Sequence, residues 1–288
     1  MEKKLITICI PVYNEESNIV NTIQKLEQFF LRFKDRFDYE ILFSDNNSED
    51  DTIKIIEKKK EENRNIRIIK FNNNIGYDLS VYNNLLESNG EACVVIDCDL
   101  QDPIDLIETF LDKWEEGYDL VYGVRIRKHE PLFFYLSRKF FYMLAHFFSK
   151  KKYPLYAGDF RLIDRSIINK IKGYKDVIFT RCITFNYSKK YTGIEYSRIP
   201  RKKGVSKFKF LNALIYALKF LSTQTYLFQI IFGISYSIGL FLLISNYLLK
   251  EKITLIILFL LFVLFINLIQ SVFNLKLKSD QKKFLKKL

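Results

Sequence analysis

The residues best suited to chemistry lie in one short run, Asp97-Cys98-Asp99-Leu100-Gln101-Asp102-Pro103, directly after the apolar stretch Val94-Val95-Ile96. Alternating carboxylates and an amide at a strand end offer hard oxygen donors. They suit one divalent cation whose remaining positions go to phosphate oxygens. An Asp-x-Asp pair alone is more often an ordinary acidic surface loop, and its place at the end of an apolar run is what favours a metal. Two more polar loops follow apolar runs in the same way. These are Pro11-Val12-Tyr13-Asn14-Glu15-Glu16-Ser17 and Asp45-Asn46-Asn47-Ser48-Glu49-Asp50. Farther along stand Tyr122-Gly123-Val124-Arg125, Ala157-Gly158-Asp159-Phe160-Arg161-Leu162 and Arg201-Lys202-Lys203-Gly204-Val205-Ser206-Lys207. Taken singly, Tyr13 and Arg161 read equally as packing and ion-pair residues. Asp159 reads equally as a helix cap after Gly158, and Arg201 and Lys207 as a basic run facing solvent or lipid.

The intervening pattern says what must position these loops. Short apolar runs at 5–10, 39–44, 66–71 and 92–96 predict strands. Between them, residues 17–33, 51–62 and 77–89 have helical spacing, the first with Ser17 as cap and Ile19, Ile23, Leu26, Phe30 and Phe33 on its apolar face. Strands alternating with helices predict an α/β fold, a mostly parallel Rossmann-like sheet with helices on both faces. Such sheets bind ligands at the carboxyl ends of their strands, where the loops 11–17, 45–50 and 97–102 fall.

The chain has 288 residues and a net charge of +12. From Phe220 to Leu249 and from Ile253 to Leu275 no residue is charged. Each run exceeds the roughly 20 residues that cross a bilayer core of about 30 Å. This predicts a catalytic domain over 1–205, a juxtamembrane amphipathic helix over 206–225, transmembrane helices over 226–249 and 253–275 forming a hairpin, and a basic tail over 276–288. A second aromatic segment near 132–148 reads as a core helix or as a helix in the membrane interface. Much of the basic excess flanks the spans, as Arg198, Arg201, Lys202, Lys203, Lys207 and Lys209 before them and six lysines after them. That placement points to anionic lipid and a cytoplasmic catalytic domain rather than to nucleic acid. The start of the chain has no signal-peptide pattern, and Cys9, Cys93, Cys98 and Cys182 lack zinc-ligand spacing and read as buried free thiols.

The loops around Pro11, Asp45 and Asp97, in this order, resemble the GT-A fold, family 2 glycosyltransferases. The segments 157–162 and 201–207 narrow the resemblance to the polyprenyl-phosphate subgroup, relatives of dolichol-phosphate mannose synthase and the bactoprenol glucosyltransferases. The resemblance implies transfer of a single hexose from a nucleotide-sugar, UDP favoured and GDP-mannose the other candidate, to a polyprenyl phosphate with inversion. It assigns Pro11, Tyr13, Glu15, Asp45 and Arg125 to the nucleotide-sugar and Asp97, Asp99 and Gln101 to Mg2+ or Mn2+. Asp159 and Arg161, with Asp99, become the catalytic set. Arg201, Ser206 and Lys207 take the acceptor phosphate. It also implies an integral membrane protein, and members that are often homo-oligomers. The chain departs from the pattern at Asn46, where the family has a second Asp, at Asn47, where it has Gly, and at Phe133, where dolichol-type relatives have Arg. Rival expectations are a membrane-anchored transferase with a soluble or protein acceptor, and a non-catalytic membrane scaffold.

Overall fold

The computed structural model describes residues 3–126, 132–148, 154, 157–174, 176, 178–198, 210–249 and 254–285. The chain divides into two compact units, one of 1–130, 153–174 and 178–207 and one of 131–152, 175–177 and 208–288.

The first unit alternates strand and helix as its apolar runs dictate: β1 (Lys4–Val12), α1 (Glu16–Arg32), β2 (Phe37–Asp45), α2 (Thr52–Glu62), β3 (Ile66–Lys70), α3 (Tyr77–Glu87), β4 (Ala92–Val95), α4 (Leu106–Glu115) and β5 (Leu120–Ile126). After the second unit's α5 (Leu132–Phe148) come β6 (Ala157–Asp164), α6 (Arg165–Ile171), α7 (Thr180–Tyr187) and β7 (Tyr191–Ser197). The strands form one sheet in the order β3-β2-β1-β4-β6-β5-β7. All pairings are parallel except those of β6, which runs antiparallel to both β4 and β5. The sheet is therefore mixed, and β6 starts at the edge where its parallel neighbours end.

Alternate strand residues point to opposite faces. Ile6, Ile8, Ile10, Ile41, Phe43 and Val94 share one core cluster with Ile19, Ile23, Leu26 and Phe30 of α1 and Phe110 of α4. Each such side chain stabilises the fold by about 1.5–3 kcal/mol on burial. On the other face, Ser44 Oγ lies 2.7 Å from Ser80 Oγ of α3, and Tyr82 Oη donates to the Ile171 carbonyl of α6 at 2.8 Å. Trp114 of α4 donates its indole N–H to Asp164 Oδ2 at 2.7 Å, with Lys4 Nζ 4.8 Å over the ring.

Two local expectations change. β1 continues through Pro11, because β4 pairs only with Ile6 to Cys9 and past that point β1 has no ladder on that side for the missing N–H to break. Ser17 does not cap α1, which begins at Glu16. The free amides at its start are satisfied by the loop after β2: Glu15 N donates to Thr52 Oγ1 at 2.7 Å and Glu16 N to Asp50 Oδ2 at 3.2 Å.

In the second unit, Phe141 of α5 meets Phe220 of α8 (Phe210–Gln224) edge to face at 5.6 Å. Leu132, Leu136, Phe140 and Phe147 of α5, at helical spacing, remain exposed. α8 leads to α9 (Leu227–Leu249) and α10 (Thr254–Leu285). Lys278 of α10 pairs with Asp176 at 2.7 Å. Phe259–Gln281, with mean hydropathy 1.9, is the one described stretch long and apolar enough to cross a membrane; Leu227–Phe241 is a shorter apolar stretch. α10 runs without a break past Leu275 through the first lysines of the basic tail.

Candidate active site

The parallel register carries the three polar loops to one edge. Val12 lies opposite Asp45 on β2, and Cys9 lies opposite Val95, two residues before Asp97. Side chains then tie the first two loops together. Asn14 N donates to Ser48 Oγ at 2.8 Å, and Glu49 N donates to Asn14 Oδ1 at 2.8 Å. Pro11 is buried and Tyr13 and Glu15 are half-buried beside them. The Asp45 carboxylate is buried and accepts from the Ser48 amide at 3.1 Å and from the Ser48 hydroxyl. Next to it, the buried Asn46 Oδ1 has no hydrogen-bond partner among the described residues. Asn47 has φ of +65°, a conformation that Gly adopts freely and Asn tolerates best among other residues.

The third loop holds the acids. Asp97 Oδ1 accepts from Tyr77 Oη at 3.0 Å, and Asp99 Oδ1 accepts from Gln101 N at 3.1 Å. Leu100, between them, has φ of +54°, a backbone strain of the kind found at ligand clamps. Burial, with the nearby carboxylates of Asp102 and Asp159, pushes Asp97 up to about 6 against the pull of Arg125 and Arg198.

Guanidiniums meet this loop from two other places. Arg198, the residue after β7, donates from Nε to Asp102 Oδ1 at 2.8 Å and from Nη2 to Asp102 Oδ2 at 3.0 Å and Asp97 Oδ2 at 3.2 Å. Its Nη1 donates to Gln101 Oε1 at 3.1 Å. Arg125 of β5 donates to Tyr196 Oη at 3.0 Å and lies 3.5 Å from Asp102. Tyr196 donates in turn to Asp102, whose side chain is 1% exposed. Burial would raise the Asp102 pKa, but hydrogen bonds and charge from Arg198 and Arg125 hold it below its ordinary value. Gly123 makes the Tyr196 position available, since a Cβ there would lie 2.5 Å from the ring. β5 also breaks register with β6 between Tyr122 and Val124.

Asp159 is the third residue of the antiparallel strand β6 and is not a helix cap. Arg181 of α7 grips both of its oxygens, with contacts of 3.2 and 2.5 Å. Burial alone would raise its pKa; Arg181 and Arg161 instead hold it at about 2. Arg161 is itself 2% exposed. Its guanidinium donates to the Gly158 carbonyl at 2.5 Å and Thr184 Oγ1 at 3.0 Å, and lies 3.5 Å from Asp159 Oδ1. It thereby positions the start of β6, which presents Asp159.

Of the sequence-predicted residues, the structure gathers Pro11, Tyr13, Glu15, Asp45, Asp97, Asp99, Gln101, Arg125, Asp159 and Arg161 on strand ends and loops of one unit. Arg201, Ser206 and Lys207 lie outside the described residues. Sequence reasoning missed Tyr77, Asp102, Arg181, Tyr196 and Arg198. Asp102 had a local signal, standing in the same acidic run. Arg198 had a misleading one: it reads as a membrane-flanking charge, whereas its guanidinium lies in the acidic loop.

Among the described residues no three His, Cys, Asp or Glu converge as a complete metal cage. Asp97, Asp99 and the Gln101 amide are an all-oxygen partial set, in which burial first and the carboxylates of Asp102 and Asp159 second disfavour the ionised Asp97. That fits a hard divalent cation, which commonly takes one or two carboxylates and completes its shell with water and substrate phosphate.

Comparison with known proteins gives the family and the fold. The family model described as Glycosyl transferase family 2 matches residues 7–172. The chain is 36% identical over 204 residues to the uncharacterized glycosyltransferase YkcC of Bacillus subtilis (strain 168), covering 70% of this chain and 62% of that protein. It is 28% identical over 254 residues to the bactoprenol glucosyl transferase of Shigella phage SfX, covering 84% of this chain and 82% of the relative. Among solved structures, the mannosyltransferase PcManGT from Pyrobaculum calidifontis, in complex with GDP-Man and Mn2+, superposes with a TM-score of 0.53 at 16% identity. That match covers 77% of this chain and 63% of the other, and shows a shared fold.

Proposed function

The chain belongs to glycosyl transferase family 2, and we propose that it transfers one hexose from a nucleotide-sugar, UDP-hexose in the first instance, to a polyprenyl phosphate such as undecaprenyl phosphate, with inversion at the anomeric carbon. The observation that carries the reading is the acidic loop 97–101 on the sheet edge that also presents Asp159 and its arginines. The polyprenyl acceptor is supported by the relatives named bactoprenol glucosyl transferase. A divalent metal is supported by the donor set and by Mn2+ in a protein of the same fold.

In this reading Asp97, Asp99 and Gln101 hold Mg2+ or Mn2+, which when bound neutralises charge on the departing nucleoside diphosphate. Pro11, Tyr13, Glu15 and Asp45 line the nucleotide pocket, and Arg125 faces phosphate. An oxygen of the lipid phosphate attacks the anomeric carbon as the bond to the diphosphate breaks, and the electron pair leaves with the diphosphate. The nucleophile is already anionic near neutral pH, so no proton needs to be taken from it. A carboxylate held at about 2 by two arginines is a poor proton acceptor. Asp159 therefore orients the reacting groups as an ionised carboxylate, and Arg161 and Arg181 keep it in place. Arg201, Ser206 and Lys207 grip the acceptor phosphate.

The proposal extends to the membrane. Residues 1–205 form the cytoplasmic catalytic part and 206–225 a juxtamembrane amphipathic helix, while 226–249 and 253–275 cross the bilayer as a hairpin and 276–288 return to the cytoplasm. Support comes from the apolar stretch Phe259–Gln281 and from the exposed stripe Leu132, Leu136, Phe140 and Phe147 of α5, which suits the interface.

The test is a donor screen. The purified full chain is incubated with undecaprenyl phosphate, Mn2+ or Mg2+, and UDP-hexoses or GDP-mannose, and the lipid product is weighed by mass spectrometry. A hexosyl-phospholipid product is the expected result. A product that stays in water points to a soluble acceptor, and no turnover with any donor points to a scaffold.

A further inference from the structure

Arg198 touches three of the groups at the acidic loop with one guanidinium. It bridges both Asp102 oxygens, and it also donates to Asp97 Oδ2 at 3.2 Å and Gln101 Oε1 at 3.1 Å. The last two acceptors belong to the donor set assigned to the cation. A cation cannot take an oxygen's lone pair while leaving a guanidinium hydrogen bonded in the same direction. Asp102, by contrast, is outside that set and holds Arg198 through two bonds of 2.8 and 3.0 Å. Burial would lower the Arg198 pKa, but its bonds to Asp102 raise it above its ordinary value, so it stays charged throughout.

Resting on the metal-dependent reading above, we propose that Arg198 is a latch on the cation cradle. In the free protein it occupies Asp97 and Gln101, and it must release them for a divalent cation to enter, while Asp102 keeps it at the site. Release exposes a guanidinium that needs an anion, and a diphosphate is a planar fork's natural partner. The partial set of Asp97, Asp99 and Gln101 leaves positions on a cation that water or the oxygens of the same diphosphate fill. The two features make the cradle load with a cation and a nucleoside diphosphate together, and load poorly with the cation alone. Arg198 is thus a positioning residue whose effect appears in binding before any chemistry.

Arg125 supplies the control. It carries the same charge beside Asp102, at 3.5 Å, but bonds to Tyr196 rather than to Asp97 or Gln101. Mn2+ binding to the full chain in detergent is measured by electron paramagnetic resonance, alone and with saturating UDP or GDP. The wild type is expected to bind Mn2+ about tenfold or more tighter with a nucleotide than without. Arg198→Gln should bind Mn2+ alone about tenfold tighter than wild type and lose most of the nucleotide enhancement. Arg198→Lys, which keeps the charge but lacks the fork, should fall between them, and it carries the test if the Gln variant does not fold. Arg125→Gln should shift free Mn2+ affinity clearly less than Arg198→Gln. Wild-type Mn2+ binding in both Arg198 variants overturns the latch and leaves the metal-dependent reading standing. An equal shift in Arg125→Gln also overturns it, because the effect is then charge alone. Absence of Mn2+ binding by the wild type with either nucleotide overturns the latch and the metal-dependent reading together.

Discussion

The acids and the arginines of the candidate site reach the same edge by different routes. Asp97, Asp99 and Asp102 arrive together in one loop after β4, and Asp159 joins them from β6. Arg125, Arg161, Arg181 and Arg198 come from β5, β6, α7 and the end of β7. The acids need one strand to be formed and one loop to be bent. The arginines need three strand pairings and a helix docked on the sheet. A change among the acids should therefore damage function with little effect on the fold, and a change among the arginines or their supports should damage both.

The sharpest break of this comparison is Asp99→Asn. It keeps shape and removes charge from the cradle. Turnover into lipid-linked hexose should fall on the order of a thousandfold, while the thermal midpoint stays near that of the wild type. A large loss of stability would mean that the acidic loop is part of the scaffold. Arg161→Met should do the reverse. It removes a buried guanidinium from Asp159, the Gly158 carbonyl and Thr184, and urea unfolding should show about 3–5 kcal/mol of destabilisation with activity lost as well. Next in size is Gly123→Ala, which puts a methyl group against the Tyr196 ring. It should cost about 1–3 kcal/mol and raise the KM for donor, because Tyr196 holds both Arg125 and Asp102. The smallest effect is at Asn47. Asn47→Gly should stay within about 0.5 kcal/mol of the wild type, while Asn47→Val, forced to a positive φ, should lose about 1–2 kcal/mol. Equal stability of the Gly and Val variants would show that the loop after β2 does not hold that conformation.

The same contrast explains what was legible in the sequence. Strands β1 to β4 and the loops after them announce themselves, because each is a mostly apolar run followed by a polar stretch. Asp97, Asp99 and Gln101 could be found because their partners are their neighbours. Arg198 could not, because its partners are 96 and 101 residues away, and its local surroundings, a string of basic residues before apolar helices, point to lipid. Arg181 and Tyr196 were hidden for the same reason: each depends on a pairing that no window of sequence contains. The Ser17 cap was misplaced by local logic too, since α1 already begins at Glu16 and the amides of Glu15 and Glu16 are tied to Thr52 and Asp50, which no local window contains. Antiparallel β6 was equally unreadable, although its direction is what brings Asp159 to the ligand edge instead of the opposite one.

Trp114 is the only tryptophan of the chain. It is 9% exposed and hydrogen-bonded to Asp164, at the end of β6 remote from Asp159. Its emission is thus an internal optical signal for the joint between α4 and the sheet. An unfolded variant shifts that emission to the red. A variant that only empties the cradle or frees an arginine leaves it where it was, so one spectrum separates a broken scaffold from a disarmed site in every substitution described above.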